Sequence, residues 1–212
     1  MAGLLNIVHE DPEFVVVDKP SGMLSVPGKG PANADCVTSR VRQLFSDCIT
    51  HPSVHRLDMD TSGLIVVALT APAQRALSIQ FQNRETSKRY IALLDGRLEE
   101  ERGTIELAFR VDVDNRPHQI YDEIHGKLGI THWERIADEG GKTRIAMVPV
   151  TGRTHQLRVH AAHERGLGVP IMGDPLYGNG TGPGQLKLHA CELGFRHPVT
   201  AKDLNFSSPA PF

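Results

Sequence analysis

The chain of 212 residues has an ordinary globular composition, with 40% hydrophobic and 23% charged residues, which excludes collagen-like, disordered and coiled-coil proteins. Its formal net charge of −2 excludes a protein held to nucleic acid by bulk positive charge, but it is compatible with a local basic groove. No stretch approaches the roughly 20 consecutive apolar residues that a membrane helix needs. The three cysteines form no CxxC pair, which favours a reducing cytoplasm, and we expect a cytoplasmic protein.

The hydrophobic patterns predict interspersed strands and helices in chain order. Strands are predicted over 14–17, 64–69, 90–94, 104–109, 130–136, 143–150 and 187–195. Helices are predicted over 35–45 with Asp35 as the N-cap, over 71–81 with Pro72 in the first turn, and over 154–164 with Thr154 as the N-cap. The order lacks a regular βαβ rhythm and therefore predicts an α+β fold. We expect a mainly antiparallel mixed central sheet with flanking helices and loops, as one domain over 1–212.

The densest polar segment in apolar surroundings is VHRLDMDTSGL, residues 54–64. Asp58 lies between Leu57 and a predicted buried strand, so its charge is costly to desolvate unless a cation meets it. One interpretation is a carboxylate held ionised by an arginine and used as a nucleophile or base. The other interpretation is a turn in which Asp, Thr and Ser side chains bind their own backbone, which is the more frequent outcome.

A second polar segment is PVTGRTHQLRVH, residues 149–160. Backbone amides at the start of the predicted helix, together with Arg153 and His155, suit an anion such as phosphate. Arg158 lies between two apolar residues and needs a buried acidic partner, for which Asp58 is the candidate. A purely structural Arg–Asp pair is the alternative.

The histidines and the local clusters of basic residues are weaker indications of function. Eleven histidines invite a site built from His155, His160 and His163 with Asp58 or Cys191, but His155 turns away from the other two on a helix. No HExxH or HxH pair is present, so no metal is predicted. Basic residues concentrate in two spans, 84–89 and 142–165, and predict a positive cleft.

The segment HRLDMDTSGLIVVAL resembles the active-site motif of the RluA family of RNA pseudouridine synthases. Further stretches agree with that family in the same order, from about residue 14 to residue 206. These stretches are VVVDKPSGMLSVPG, KRYIALL, PVTGRTHQLRVH, and GDPLYG followed by KLHA. The VDKPSG stretch and the FSSPAPF tail resemble members that act on both a tRNA anticodon stem-loop and a hairpin of 23S ribosomal RNA.

The resemblance implies an isomerase that converts uridine in RNA to pseudouridine by base flipping, without metal or organic cofactor. Asp58 matches the family's catalytic aspartate, and Arg158 matches the arginine paired with it. Tyr90 matches the tyrosine that stacks on the uracil, and Leu188 matches the apolar residue beneath it. Arg56 matches the arginine that fills the gap left by the flipped nucleotide.

Other features of the chain qualify this interpretation. The sequence before residue 14 is too short for an S4-type RNA-binding domain, and Asp60 adds a second carboxylate to the motif. The segment 112–118, where an RNA-grasping loop is expected, is less basic than such a loop usually is. We expect a monomer whose partner is structured RNA and which does not bind a membrane. The alternatives are a non-catalytic RNA-binding relative and a metal-dependent phosphoesterase.

Overall fold

The computed structural model describes residues 5–212, which divide into two compact units. The first unit contains the described residues up to Lys88 together with Ala190–Pro211. The second contains Arg89–His189 and Phe212. The helices of the described chain are all too short or too polar to cross a bilayer. This division does not test the prediction that residues 1–212 form one catalytic domain, which stays a prediction.

The first unit is built on antiparallel strands. β1 (Asn6–Glu10) pairs with β2 (Phe14–Lys19), and β2 pairs with β3 (Ser62–Ala68). The strand β9 (Leu188–Arg196) lies beside β3, and its 192–196 part pairs with β10 (Asp203–Ser207). All seven residues of β3 are buried, as expected for an apolar run enclosed on both faces.

Two α-helices belong to the first unit, and a short 3-10 helix over Pro31–Asn33 precedes them. α1 (Val37–Leu44) is capped by Cys36, whose Sγ accepts a hydrogen bond from the Ser39 amide at 3.3 Å. The prediction of Asp35 as the cap is wrong. Its carboxylate instead accepts two hydrogen bonds from Arg40, at 2.7 and 2.6 Å, and is therefore engaged away from the helix amides.

The second helix, α2 (Ala71–Asn83), begins as predicted. The Thr70 hydroxyl accepts a hydrogen bond from the Ala73 amide, and Pro72 lies in the first turn, where its missing N–H costs nothing. Its buried face joins the core of the first unit. That core consists of Phe14, Val16, Leu64, Val66, Ala68, Ala73, Leu77, Leu193 and Phe195.

The second unit is also built on antiparallel strands, with spatial order β4-β8-β7-β5-β6. The strands are β4 (Ser87–Leu94), β5 (Arg102–Val111), β6 (Gln119–Tyr121), β7 (Lys127–Glu139) and β8 (Lys142–Pro149). One face of these strands packs on the short helix α3 (Gln156–Ala162). The α+β class predicted from the sequence is confirmed.

The helix α3 is shorter than predicted at both ends. Its N-cap position is His155, in the left-handed conformation with φ of 58° and without a side-chain cap, so the prediction of Thr154 as the cap is wrong. The physical cause is the Gln156 side chain, which binds the preceding loop and so determines where the helix begins. Leu157, Val159 and Ala161 face the core of the second unit.

Candidate active site

The loop that carries Asp58 is held by a buried lysine of the first unit. Lys19 ends β2 and is fully buried, and its Nζ donates to three backbone carbonyls. The acceptors are Pro20 at 3.0 Å, Met23 at 2.8 Å and Met59 at 2.8 Å. Because Met59 directly follows Asp58, these hydrogen bonds fix the backbone beside the carboxylate.

Two serines of the turn after β2 hold the same loop. The Ser25 hydroxyl donates to the Leu57 carbonyl at 2.7 Å and accepts from the Leu57 amide at 3.0 Å. The Ser21 hydroxyl donates to the Asp60 carbonyl. The backbone on both sides of Asp58 is therefore anchored by side chains of the KPSGMLS stretch.

The charges around this loop are of opposite sign and partly buried. Burial lowers the pKa of Lys19 to about 8, while the nearby carboxylates of Asp60 and Asp58 act in the opposite direction. Asp60 is buried, whereas Asp58 is half-buried and keeps contact with solvent. Of the two carboxylates, Asp58 is the one that a substrate could reach.

Residues on either side of the Asp58 loop make close contacts with the backbone of neighbouring strands. Gly63 has φ of 109°, and a Cβ there would lie 2.4 Å from the Ala190 carbonyl oxygen, so only glycine fits. His55 accepts a hydrogen bond from the Val66 amide at 3.1 Å and stacks on Phe81, and burial lowers its pKa to about 3. His55 is thus a neutral structural group, whereas its neighbour Arg56 is exposed.

In the second unit, Arg158 has a buried carboxylate partner. Its Nε and Nη2 donate to the two oxygens of Asp174 at 2.8 and 2.6 Å, and both side chains are almost completely buried. Burial raises the pKa of Asp174, but the hydrogen bonds from Arg158 and from two backbone amides outweigh it, so the pKa lies below its usual range. The sequence correctly required a buried acid for Arg158 but did not identify Asp174. The pairing of Arg158 with Asp58 stays a prediction.

The loop before α3 is fixed by Gln156. Its Oε1 accepts from the Thr151 hydroxyl at 2.7 Å and from the Arg153 amide at 3.0 Å. Its Nε2 donates to the Ile130 carbonyl and the Thr131 hydroxyl at 3.0 and 2.9 Å. The segment 151–155 is therefore attached to β7, and Arg153 projects from it as an exposed side chain.

The remaining predicted site residues also lie in the second unit. Tyr90, on β4 opposite Met147, is half-buried and packs against the core, and Leu188 at the start of β9 is buried. His155 is half-buried, with its Nδ1 2.8 Å from the Tyr177 hydroxyl. Tyr90 and Leu188 thus supply a ring and an apolar side chain, whereas His155 supplies a polar group.

Several of the basic residues that predicted a positive cleft are paired with acids of their own unit. The pairs are Arg89–Glu134, Lys142–Asp95, Arg144–Glu139 and Arg158–Asp174. They therefore contribute less positive potential than the sequence count suggests. Within residues 5–212, no group of three or more His, Cys, Asp or Glu side chains is arranged to hold a metal ion.

The predicted site residues are thus distributed over the two units. Arg56 and Asp58 belong to the first unit, and the second contains Tyr90, Arg153, His155, Arg158 and Leu188. Sequence reasoning missed Asp174 and Tyr177, although both stand in the GDPLYG stretch that it noted. It also missed Gln156 and Lys19, whose roles depend on contacts distant in sequence.

Comparisons with known proteins identify the family of the chain. A family model described as RNA pseudouridylate synthase matches residues 13–163. The dual-specificity RNA pseudouridine synthase RluA of Pasteurella multocida is 45% identical over 98% of this chain and 94% of its own length. The protein of that name from Escherichia coli K12 is 40% identical with the same coverage. The solved structure of human RNA Pseudouridylate Synthase Domain Containing 1 has a TM-score of 0.77 and 30% identity, covering 99% of this chain and 84% of that one. The chain therefore belongs to the RNA pseudouridine synthase family and is an isomerase of uridine in RNA.

Proposed function

We propose that this isomerase acts, as a cytoplasmic monomer, on uridines in stem-loops of tRNA, of 23S ribosomal RNA, or of both, with Asp58 as the catalytic carboxylate. The relatives from Pasteurella multocida and Escherichia coli are named as dual-specificity enzymes, which supports two RNA substrates. The observation that carries the assignment of Asp58 is its half-buried position on a loop whose backbone Lys19 and Ser25 hold on both sides.

A held loop is what the proposed chemistry requires. The N-glycosidic bond of the target uridine breaks, the uracil turns, and a C–C bond forms between the same sugar and base. A carboxylate fixed in position can meet the ribose face without paying for its own reorganisation during the reaction. Retention of the detached uracil also requires a pocket that excludes water.

The other roles are those that membership of the family implies for these side chains. Tyr90 stacks on the uracil and assists removal of the proton from C5, and Leu188 forms an apolar floor beneath the base. Arg158, which Asp174 holds within the second unit, is the arginine that the family pairs with the catalytic carboxylate. Exposed Arg56 fills the space that the extruded nucleotide leaves. It thereby offsets part of the free energy of unstacking and unpairing the base, which is about a few kcal/mol.

Arg153 and His155 are proposed to bind the RNA backbone. Arg153 is exposed on a loop that Gln156 attaches to β7, so the backbone from which its side chain extends is fixed. Phosphate contacts of this kind position the RNA and supply affinity, whereas selectivity comes from the shape of the loop and the flipped base.

The experiment is the release of tritium from uridine labelled at C5, measured separately with unmodified tRNA transcripts and with fragments of 23S ribosomal RNA. Release from either RNA, accompanied by pseudouridine in its nuclease digest, supports the proposal and gives the substrate class. No release from either RNA, with a protein shown by thermal melting to be folded, would contradict it. An Arg56→Ala variant should slow release at subsaturating RNA, because it removes the side chain that replaces the flipped nucleotide.

A further inference from the structure

Tyr177 connects three segments of the second unit that are far apart in sequence. Its hydroxyl lies 2.8 Å from the Gln119 amide, where β6 begins, and 2.8 Å from Nδ1 of His155, just before α3. Its ring packs against the guanidinium of Arg158, whose Cζ is 5.3 Å from the ring centroid. One side chain thus contacts a strand start, a helix start and the buried ion pair.

The Gln119 backbone amide determines one of the hydrogen-bonding roles at this hydroxyl. The Gln119 amide can only donate, so the phenol oxygen accepts there. The second hydrogen bond joins the hydroxyl to Nδ1 of His155, and its direction depends on the tautomer of the imidazole. The Tyr177 hydroxyl therefore orients the His155 ring as well as holding β6.

Tyr177 itself is firmly held. Its amide and that of Leu176 donate to Asp174 Oδ1 at 3.0 and 2.9 Å, and the same carboxylate receives both hydrogen bonds from Arg158. A continuous series of hydrogen bonds therefore leads from the buried ion pair through Tyr177 to the start of β6.

The loop 112–118 between β5 and β6 is attached at the same place. Its end residue His118 has Nε2 3.2 Å from the Leu176 carbonyl, and its ring packs edge-on against Tyr177. The loop is closed on itself by hydrogen bonds from the Asp112 amide to the His118 carbonyl and from the His118 amide to the Asn115 carbonyl, at 2.8 and 3.0 Å. The loop is thus a closed turn that His118 attaches to Leu176 and Tyr177.

We propose that the Tyr177 hydroxyl is a positioning group that fixes the loop 112–118 and the His155 ring for RNA recognition. Its contribution is to RNA affinity, because its hydrogen bonds reach the start of β6 beside the loop and the His155 ring, to which the proposed function assigns RNA binding. The inference rests on the proposed function, in which His155 binds the RNA backbone, and on the sequence prediction that the segment 112–118 is where an RNA-grasping loop is expected.

The test is a Tyr177→Phe variant assayed for tritium release with the RNA on which the wild-type protein is active. The substitution removes one oxygen and keeps the ring beside Arg158 as well as the backbone hydrogen bonds to Asp174. The loss of two hydrogen bonds predicts a KM about tenfold higher, with kcat within about twofold. Hydrogen exchange at the Gln119 amide should be faster than in the wild-type protein.

Tyr121→Phe is the matched control, because the Tyr121 ring packs against Arg165 and His163 nearby and no bond to its hydroxyl enters the argument for positioning. Its KM should stay within about twofold of wild type. A His118→Leu variant removes the second attachment of the loop and should also raise KM. Combined with Tyr177→Phe, it should raise KM by less than the product of the two separate effects.

A Tyr177→Phe variant with wild-type KM, or one that lowers kcat at unchanged KM, would overturn the proposal. If Tyr177→Phe does not fold, His118→Leu decides alone through the same KM-against-kcat comparison. Inactivity of the wild-type protein on both RNA classes would instead contradict the proposed function, while faster exchange at Gln119 would still show that the hydroxyl holds the loop.

Discussion

Replacement of Asp174 with alanine tests the energetics of the second unit most sharply. The carboxylate is fully buried and accepts four hydrogen bonds, two from Arg158 and two from the amides of Leu176 and Tyr177. Its removal takes away the negative charge that neutralises a buried guanidinium, which costs about 3–5 kcal/mol in comparable pairs. The backbone amides of Leu176 and Tyr177 also lose their acceptor, so we expect a loss of unfolding free energy at the upper end of that range.

The control for this prediction is the pair Asp35–Arg40, which has nearly the same two-pronged geometry but an exposed carboxylate. Both alanine variants would be compared with the wild-type protein by urea unfolding at pH 7. Asp174→Ala should be strongly destabilised, whereas Asp35→Ala should change the unfolding free energy far less because solvent screens its charge. Equal and small effects at the two positions would refute the reasoning that burial makes the Arg158 pair important.

Two further predictions concern stability. Burial lowers the pKa of His160 to about 4. Between pH 6.5 and 4 the unfolded chain therefore binds a proton at this residue that the folded chain does not. As the pH decreases through this range, the free energy of unfolding should decrease by about 1.4 kcal/mol per pH unit from this group. In urea unfolding at pH 7 and pH 5, a His160→Phe variant should therefore lose less stability than the wild type, and an equal loss would contradict the assignment. Gly63→Ala should lose about 3 kcal/mol or more, because its methyl group would meet the Ala190 backbone. The control is Gly182→Ala, where a Cβ meets nothing within 4 Å, and its melting temperature should equal that of the wild type. A Gly63→Ala variant with the same melting temperature would show that the structure relaxes around the new methyl group.

The sequence predicted well those elements whose signals are local. The helix α2 begins where Thr70 and Pro72 place it, and the apolar run of β3 is buried throughout. The strands β1, β6 and β10 are short, with three to five residues each and no fully buried positions, so they lack the apolar signal on which strand prediction depends.

The partners of individual side chains could not be predicted from the sequence. Arg158 between two apolar neighbours correctly indicated a buried acid, but only the fold selects Asp174 as that acid. Likewise, Asp35 is a good helix cap by type, and its pairing with Arg40 leaves the cap to Cys36. Residue type therefore predicted the need for a partner, whereas the partner itself is set by tertiary structure.

The catalytic role of Asp58 is the central claim, and the most direct test compares Asp58→Asn with Asp60→Asn. Both variants remove one negative charge from the same loop at nearly constant volume, and both would be assayed for tritium release and for RNA binding. Asp58→Asn should abolish release while RNA affinity stays within a few fold, because affinity comes mainly from phosphate contacts. Asp60→Asn should retain turnover. Turnover by Asp58→Asn at the wild-type rate would contradict the assignment of Asp58 as the catalytic residue.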